Sequence, residues 1–232
     1  MFIAIIGPKG LIGNKLLNYF KRNGIKILKV GRKFKFNKID KKYKIIIHAA
    51  NSGKKFEANK FPKLDYKNSV TLTDKIAKSF RNRKLILIST ISCRTESNFY
   101  SRHRKLCENI ILKSSKKNII FRLPLIFNTK LKRGILYDLI TNKKIYLNKN
   151  SFINPVTIDE ICSYIFNNIE SKKRIHEIGS FESIKLFELS KLLNSKSKFI
   201  NRKGNLLAKP SSKIFPLKNI LKELIKFKKK IV

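Results

Sequence analysis

The chain has 232 residues, 42% of them hydrophobic, enough to bury a sizeable core and to exclude global disorder. Lys and Arg number 54 against 14 Asp and Glu, a formal net charge of +40. Gathered in one block, such charge would point to nucleic acid or an anionic membrane. The lysines are instead spread along the whole chain beside abundant Ile and Asn, so a general drift in composition accounts for them better.

In chain order, Phe2–Ile6 reads as a short buried strand ended by Gly7. Leu11–Lys21 reads as a helix with Leu11, Leu16, Leu17 and Phe20 on one face, stopped by Asn23-Gly24. Ile25–Val30 and the apolar run Ile45–His48 follow as strands, the latter suited to a sheet covered on both faces. Asp65–Phe80 is a long helical pattern, Leu85–Ile88 a fourth strand, Tyr100–Leu112 a helix, and Ile119–Leu123 a fifth strand closed by Pro124. Alternation at these spacings predicts βαβ units and a parallel sheet. Beyond Pro124 the pattern loosens: helix over Ile158–Ile169, strand over Ile175–Ile178, helix over Ile184–Leu193, and a basic amphipathic helix over Leu217–Lys230. The expected division is residues 1–124 as one domain and 125–232 mostly as a smaller lobe, some of whose elements return to the first.

Cys93, Cys107 and Cys162 lie far apart without a Cys-x-x-Cys pair, which indicates neither a disulfide framework nor zinc and suits a reducing cytoplasm. No two of His48, His103 and His176 have metal-ligand spacing, so no metal is expected. The apolar start Met1–Gly7 is too short for a signal peptide, and no run reaches the ~18 apolar residues of a membrane span. A cytoplasmic protein is the expectation.

The densest signal is Gly7-Pro8-Lys9-Gly10-Leu11-Ile12-Gly13, which follows the first strand and opens the first helix. One glycine permits a tight turn, one lets backbone approach a pyrophosphate, and one lets helix pack close on strand. The helix start then offers N–H groups and a positive dipole end to phosphates. Position inside a βαβ unit is the context a Rossmann-type dinucleotide site requires. Sites for NAD usually carry an acid after the second strand to hold ribose hydroxyls. Here Val30 is followed by Gly31-Arg32-Lys33, and Arg32 can pair with a 2′-phosphate, so NADP is expected over NAD.

The Gly-x-x-Gly-x-x-Gly spacing, with His48-Ala49-Ala50 ending the third strand, Leu87-Ile88-Ser89-Thr90 ending the fourth, Tyr100 opening the next helix, Phe121-Arg122-Leu123-Pro124 and Asn154-Pro155-Val156-Thr157-Ile158-Asp159-Glu160, resembles the extended short-chain dehydrogenase/reductase family, its nucleotide-sugar epimerase/dehydratase branch. The likeness covers roughly residues 1 to 190. It implies an α/β fold with a Rossmann-type parallel sheet, helices on both faces and a small C-terminal substrate lobe. It implies contact with the cofactor from Gly7, Lys9, Gly10, Leu11, Ile12, Gly13, Arg32, His48, Ala49, Ala50, Tyr100 and Arg104. It also implies a nucleotide-sugar substrate, hydride transfer, and dimers formed through the Asp65–Phe80 and Tyr100–Leu112 helices.

The family's chemistry needs a tyrosine phenol whose proton is mobile, and so a cation beside it. In the family that cation is a lysine four residues on, on the same helix face. Tyr100-Ser101-Arg102-His103-Arg104-Lys105 places Arg104 there, and Lys105 about 100° further round. Arg104 keeps the charge, and by resemblance Thr90 completes the catalytic set with Tyr100. The departure at Arg104, and the short span from Thr90 to Tyr100, leave a non-catalytic dinucleotide-binding module or sensor as the first alternative. The second is a nucleic-acid or membrane-surface protein, for which Lys213–Lys230, with seven lysines and one acid, Glu223, is the candidate element.

Overall fold

β-Branched and apolar runs bounded by glycine or basic turns form the strands, and amphipathic runs form the helices between them. The elements of this computed structural model, which describes residues 1–130, 132–200, 207–210 and 215–231, follow in chain order. They are β1 (Phe2–Ile6), α1 (Leu11–Arg22), β2 (Lys26–Val30), β3 (Ile45–His48), α2 (Lys55–Lys60), α3 (Pro62–Tyr66), a π-helical segment Lys67–Thr71, α4 (Leu72–Ser79), β4 (Lys84–Thr90), α5 (Ser92–Thr95) and α6 (Phe99–Ser114). They continue with β5 (Ile119–Leu123), β6 (Ile126–Phe127), α7 (Ile135–Ile140), β7 (Phe152–Ile153), β8 (Val156–Thr157), α8 (Ile158–Asn168), β9 (Ile175–Glu177), β10 (Ile184–Lys185), α9 (Leu186–Leu192) and α10 (Leu217–Ile231).

The chain divides into two compact units, Met1–Arg122 with Cys162–His176, and Leu123–Ile161 with Glu177–Val232. The first unit is built on a six-stranded parallel sheet in the order β2-β1-β3-β4-β5-β9. β1 pairs in parallel with β2 (Ile3 opposite Ile27) and with β3 (Ile3 opposite Ile45), so chain progression reverses direction at β1. In such sheets the crevice outside the carboxyl ends of the strands, at this switch point, is where ligands bind.

Strand alternation sorts the apolar side chains to two faces. Ala4, Ile6, Ile46, Leu85, Leu87 and Ile120 pack with Ile76 of α4 and with Cys107 and Ile111 of α6. The alternate residues Ile3, Ile5, Ile47, Ile86 and Phe121 are also fully buried. On that side Phe20 of α1 meets Phe166 of α8 edge to face at 5.3 Å, and Phe121 meets Tyr164 of α8. Burial on both faces explains why these strands read as unbroken apolar runs.

The second unit has its own core, which includes Phe127, Leu139, Ile140, Leu186 and Leu189. The apolar stripe of α10, namely Leu217, Ile220, Leu224 and Phe227, is buried in it, and Phe127 meets Phe227 at 5.5 Å. The basic helix therefore uses its apolar face within its own unit, which removes the main ground for reading it as a membrane-surface element. Lys213, the first residue of that basic segment, lies outside the described residues. No helix among the described residues is long and apolar enough to cross a membrane.

Two predicted elements differ from what forms. The pattern over Asp65–Phe80 is not one α-helix. Pro62 lacks an N–H and starts its own short helix, α3, and the chain then loosens into the π segment before α4. Within this stretch the Ser69 hydroxyl donates to the Asp65 carbonyl at 2.5 Å and the Thr73 hydroxyl to the Ser69 carbonyl at 2.7 Å. The pattern over Ile184–Leu193 begins as strand: Ile184 and Lys185 pair antiparallel with Ile153 and Phe152, and the helix starts at Leu186. Pairing outweighs helical periodicity there because β-branched Ile184 is a modest helix former and a good strand residue.

Candidate active site

The glycine loop sits at the carboxyl end of β1, against the turn that leaves β3. Gly7 has φ +88°, and a Cβ there would come within 2.7 Å of the Ala50 Cα and 2.8 Å of the Ala49 carbonyl oxygen. A Cβ on Gly13 would collide with the Gly7 carbonyl oxygen. Both positions exclude any side chain, and both bring backbone onto backbone. The loop is closed by Gly10 N–H donating to the Gly7 carbonyl at 3.1 Å, and the neighbouring turn by Ala49 N–H donating to the Ile6 carbonyl at 2.9 Å. Helix α1 starts at Leu11 with no side-chain cap and no acid in its first turn. The donors of Leu11, Ile12 and Gly13 are thus left at a positive helix end, with exposed Lys9 beside them. Leu11 is 52% exposed at the same edge.

His48 is fully buried behind this turn. Its Nε2 lies 3.0 Å from the Thr73 hydroxyl, whose own proton goes to the Ser69 carbonyl, and its Nδ1 accepts from Ala50 N–H at 3.3 Å. These partners require a neutral ring with the proton on Nε2. Burial first, and the Arg104 charge second, push its pKa down from 6.5 to about 3. His48 therefore shapes the Ala49–Ala50 turn and does not present its ring to a ligand.

Immediately after that turn come Asn51 and Ser52, which the sequence did not single out. Both side-chain atoms of Asn51, Oδ1 and Nδ2, are buried without a hydrogen-bond partner. The Ser52 carbonyl accepts from Arg104 Nη2 at 3.0 Å. Arg104 is 2% exposed, its Nη2 also donates to Asp65 Oδ1 at 2.7 Å, and its Nε and Nη1 are buried with no partner. The other Asp65 oxygen lies 2.8 Å from Nδ1 of His103. Asp65 comes from α3, and the one hint of it in the sequence is that acids are scarce in this chain.

One turn before Arg104, Tyr100 is buried, with the Arg104 guanidinium carbon 4.7 Å from its ring centroid. The pair therefore meets face to charge. Burial raises the Tyr100 pKa above its ordinary value, and Arg104, acting in the opposite direction as expected, only partly offsets this. Tyr100 thus stays protonated at neutral pH. Thr90, at the end of β4, accepts from Ser92 N–H at 3.2 Å and so begins the α5 turn. Its neighbour Ser89 donates to Glu108 Oε1 at 2.7 Å, and Glu108 is held by Arg122 through Nε at 2.9 Å and Nη2 at 2.7 Å. This buried cluster ties α6 to β4 and β5, and so sets the rotation of the helix that carries Tyr100 and Arg104. Cys93 lies beside it, and burial, with Glu108 adding to it, pushes its thiol up to about 12, which makes it a poor nucleophile.

At the end of β2, Arg32, Lys33, Lys35, Phe36, Lys75 and Ser79 are among the residues lining a cavity of about 510 Å³. None of its described lining residues is acidic. Among the described residues there is no group of three or more His, Cys, Asp or Glu that could hold a metal.

No protein-family model and no curated sequence matches the chain. Solved structures do match it. It is similar to a dTDP-4-dehydrorhamnose reductase of Bacillus anthracis in complex with NADP, at 16% identity and TM-score 0.78, over 100% of this chain and 99% of that one. It is similar to a dTDP-glucose 4,6-dehydratase of the same organism in complex with NAD, at 13% identity and TM-score 0.77, over 100% and 97%. It is also similar to a UDP-glucuronic acid 4-epimerase of Bacillus cereus in complex with NAD, at 14% identity and TM-score 0.77, over 100% and 97%. At these identities the likeness establishes the fold, a Rossmann-type α/β architecture shared over the whole chain.

The depressed His48 pKa makes a pH prediction. The unfolded chain takes a proton at this ring near 6.5, while the folded chain resists until about 3. The contribution is therefore present above 6.5 and is lost as pH falls from 6.5 toward 3. Denaturant midpoints across that range should fall less steeply in His48→Gln than in the parent.

Proposed function

We propose that this chain is an NADP-dependent enzyme of the extended short-chain dehydrogenase/reductase type that acts on a nucleotide sugar. The observation that carries the reading is the glycine cradle at the switch point, where Gly7 and Gly13 leave no room for a Cβ and an uncapped helix begins beside them. The buried unpartnered atoms of Asn51 and Arg104 fit a bound dinucleotide, because a ribose or amide group would satisfy them. The three similar structures named above, a reductase, a dehydratase and an epimerase with NADP or NAD bound, favour the same reading.

Residues Gly7 to Gly13 would hold the pyrophosphate by backbone N–H groups, and Asn51 and Arg104 the nicotinamide half. Arg32, with Lys33, would take the 2′-phosphate in a cavity without acids, which selects NADP over NAD. Bound NADP(H) supplies the hydride equivalent. Tyr100 would serve as the acid that gives its proton to the substrate oxygen, with the Arg104 charge opposing the rise that burial imposes on its pKa. Thr90 would orient that oxygen. The unit made of 123–161 and 177–232 is assigned the sugar nucleotide, and the cytoplasm is the compartment that supplies both ligands.

Calorimetry with NADP(H) and NAD(H) at two salt concentrations tests the cofactor reading, since a +40 protein holds any phosphate weakly. Salt-tolerant binding with NADP preferred is expected, lost in Gly13→Ala and reduced to parity with NAD in Arg32→Ala. If neither dinucleotide binds, the assignment fails.

With NADPH and a panel of 4-keto nucleotide sugars, Tyr100→Phe should lower kcat by a factor on the order of 10² or more, the usual scale of a lost acid/base group. Full turnover in that variant would overturn the assignment of Tyr100 as the acid.

Dimerisation through α3 and α6 accords with an exposed apolar face. Phe61, Leu64, Tyr66, Phe99 and Leu106 are each 41–57% exposed there, and Tyr66 and Phe99 flank His103. Sedimentation should give a dimer that Leu64→Glu with Leu106→Glu converts to monomer.

A further inference from the structure

The proposed function gives no role to Asp65, a buried acid beside Arg104. Asp65 is held in the fold by Arg104 and His103, and its side chain is 6% exposed. An arginine differs from the lysine that the resemblance places here in one respect that matters. An ammonium is a rotating point charge, whereas a guanidinium is a flat fork whose donors all turn together. Fixing one edge of the fork therefore fixes the direction of every other N–H.

That edge is fixed here. Nη2 is held by Asp65 Oδ1 at 2.7 Å and by the Ser52 carbonyl at 3.0 Å. His103 Nδ1 at 2.8 Å holds the second Asp65 oxygen, so the carboxylate plane is set as well. The remaining Arg104 donors, Nε and Nη1, are buried and unpartnered, and so is the Asn51 carboxamide next to Ser52. Burying donors without partners is unfavourable, and here two of them lie on one cation beside an unpartnered carboxamide, which together suit a polar ligand.

We infer that Asp65 is a positioning residue of this site: it clamps the Arg104 fork so that Nε and Nη1 are held ready for the polar hydroxyls of a bound dinucleotide. The inference rests on the dinucleotide reading above. Asp65 itself touches no ligand; it acts through Arg104, and His103 acts through Asp65.

The test is a double-mutant cycle on NADPH affinity, by calorimetry on the full chain, with Asp65→Asn, Asp65→Glu, Arg104→Lys and the Asp65→Asn/Arg104→Lys pair. Thermal unfolding of each without ligand establishes that it is folded. Asp65→Asn should weaken NADPH about tenfold or more, and Asp65→Glu should restore part of it. In the Arg104→Lys background the same Asp65→Asn change should cost less than about twofold, because an ammonium needs no clamp. Two results overturn the inference alone: a folded Asp65→Asn that binds as the parent does, or a loss of the same size in both backgrounds, which marks a structural role only. If the parent chain binds neither NADPH nor NADH, the dinucleotide reading fails and takes this inference with it. If Asp65→Asn does not fold, the Asp65→Glu and Arg104→Lys affinities decide: Asp65→Glu binding as tightly as the parent while Arg104→Lys is weakened would also overturn it.

Discussion

Helix α6 is held in place by two buried carboxylates, and the arrangement of the site depends on them. Asp65 binds Arg104 and Glu108 binds Arg122, with the two α6 residues, Arg104 and Glu108, one turn apart. Each pair joins α6 to a different neighbour: α3 and the β3 turn through Asp65 and Ser52, β4 and β5 through Ser89 and Arg122. A buried ion pair carries a desolvation cost, and removing one partner typically costs about 3–5 kcal/mol because the other charge is stranded. That asymmetry resists both sliding and rotation of α6. Tyr100 is consequently presented at one fixed place relative to the β3 turn and the end of β4.

The charge balance makes these two acids more consequential than they would be elsewhere. With 14 acids among 232 residues, most cations of the chain have no carboxylate to pair with and face water. Several of those that are partly buried turn to carbonyls instead. Arg83 donates to the Ile39, Asp40 and Tyr43 carbonyls, Arg174 to those of Leu112 and Ser115 near the end of α6, and Lys228 to those of Leu193 and Asn194 at the end of α9. Cations at helix C-termini also suit the negative dipole end. These cations thus contribute to local order.

The second unit uses its apolar surfaces internally. Its core takes in the apolar stripe of α10, and Asn154 is satisfied by backbone on both sides, donating to the Ser180 and Ala208 carbonyls and accepting from Ala208 N–H. The close approach at Gly179, where a Cβ would meet the Asn154 amide nitrogen at 2.7 Å, explains glycine at that position. The unit is ordered by packing and capping of the ordinary kind.

What could be read from residues alone was what local chemistry dictates. Apolar runs that are buried on both faces announce β1, β3, β4 and β5, and glycines that must be glycines announce the loop at β1, because neither depends on a distant partner. The Tyr100–Arg104 spacing was legible for the same reason, being one turn of a single helix. The break of Asp65–Phe80 into α3, a π segment and α4, the strand character of Ile184–Lys185, and the roles of His48, Asn51, Asp65 and Glu108 were not. Four of these are settled by a residue remote in sequence: Thr73 for His48, Arg104 for Asp65, Arg122 for Glu108, Ile153 for Ile184. Sequence by itself determined the sheet, the glycine cradle and the face of α6. Tertiary structure alone decided which cations are clamped and which donors are left unpartnered, because a buried charge takes its meaning from partners that only folding brings within reach.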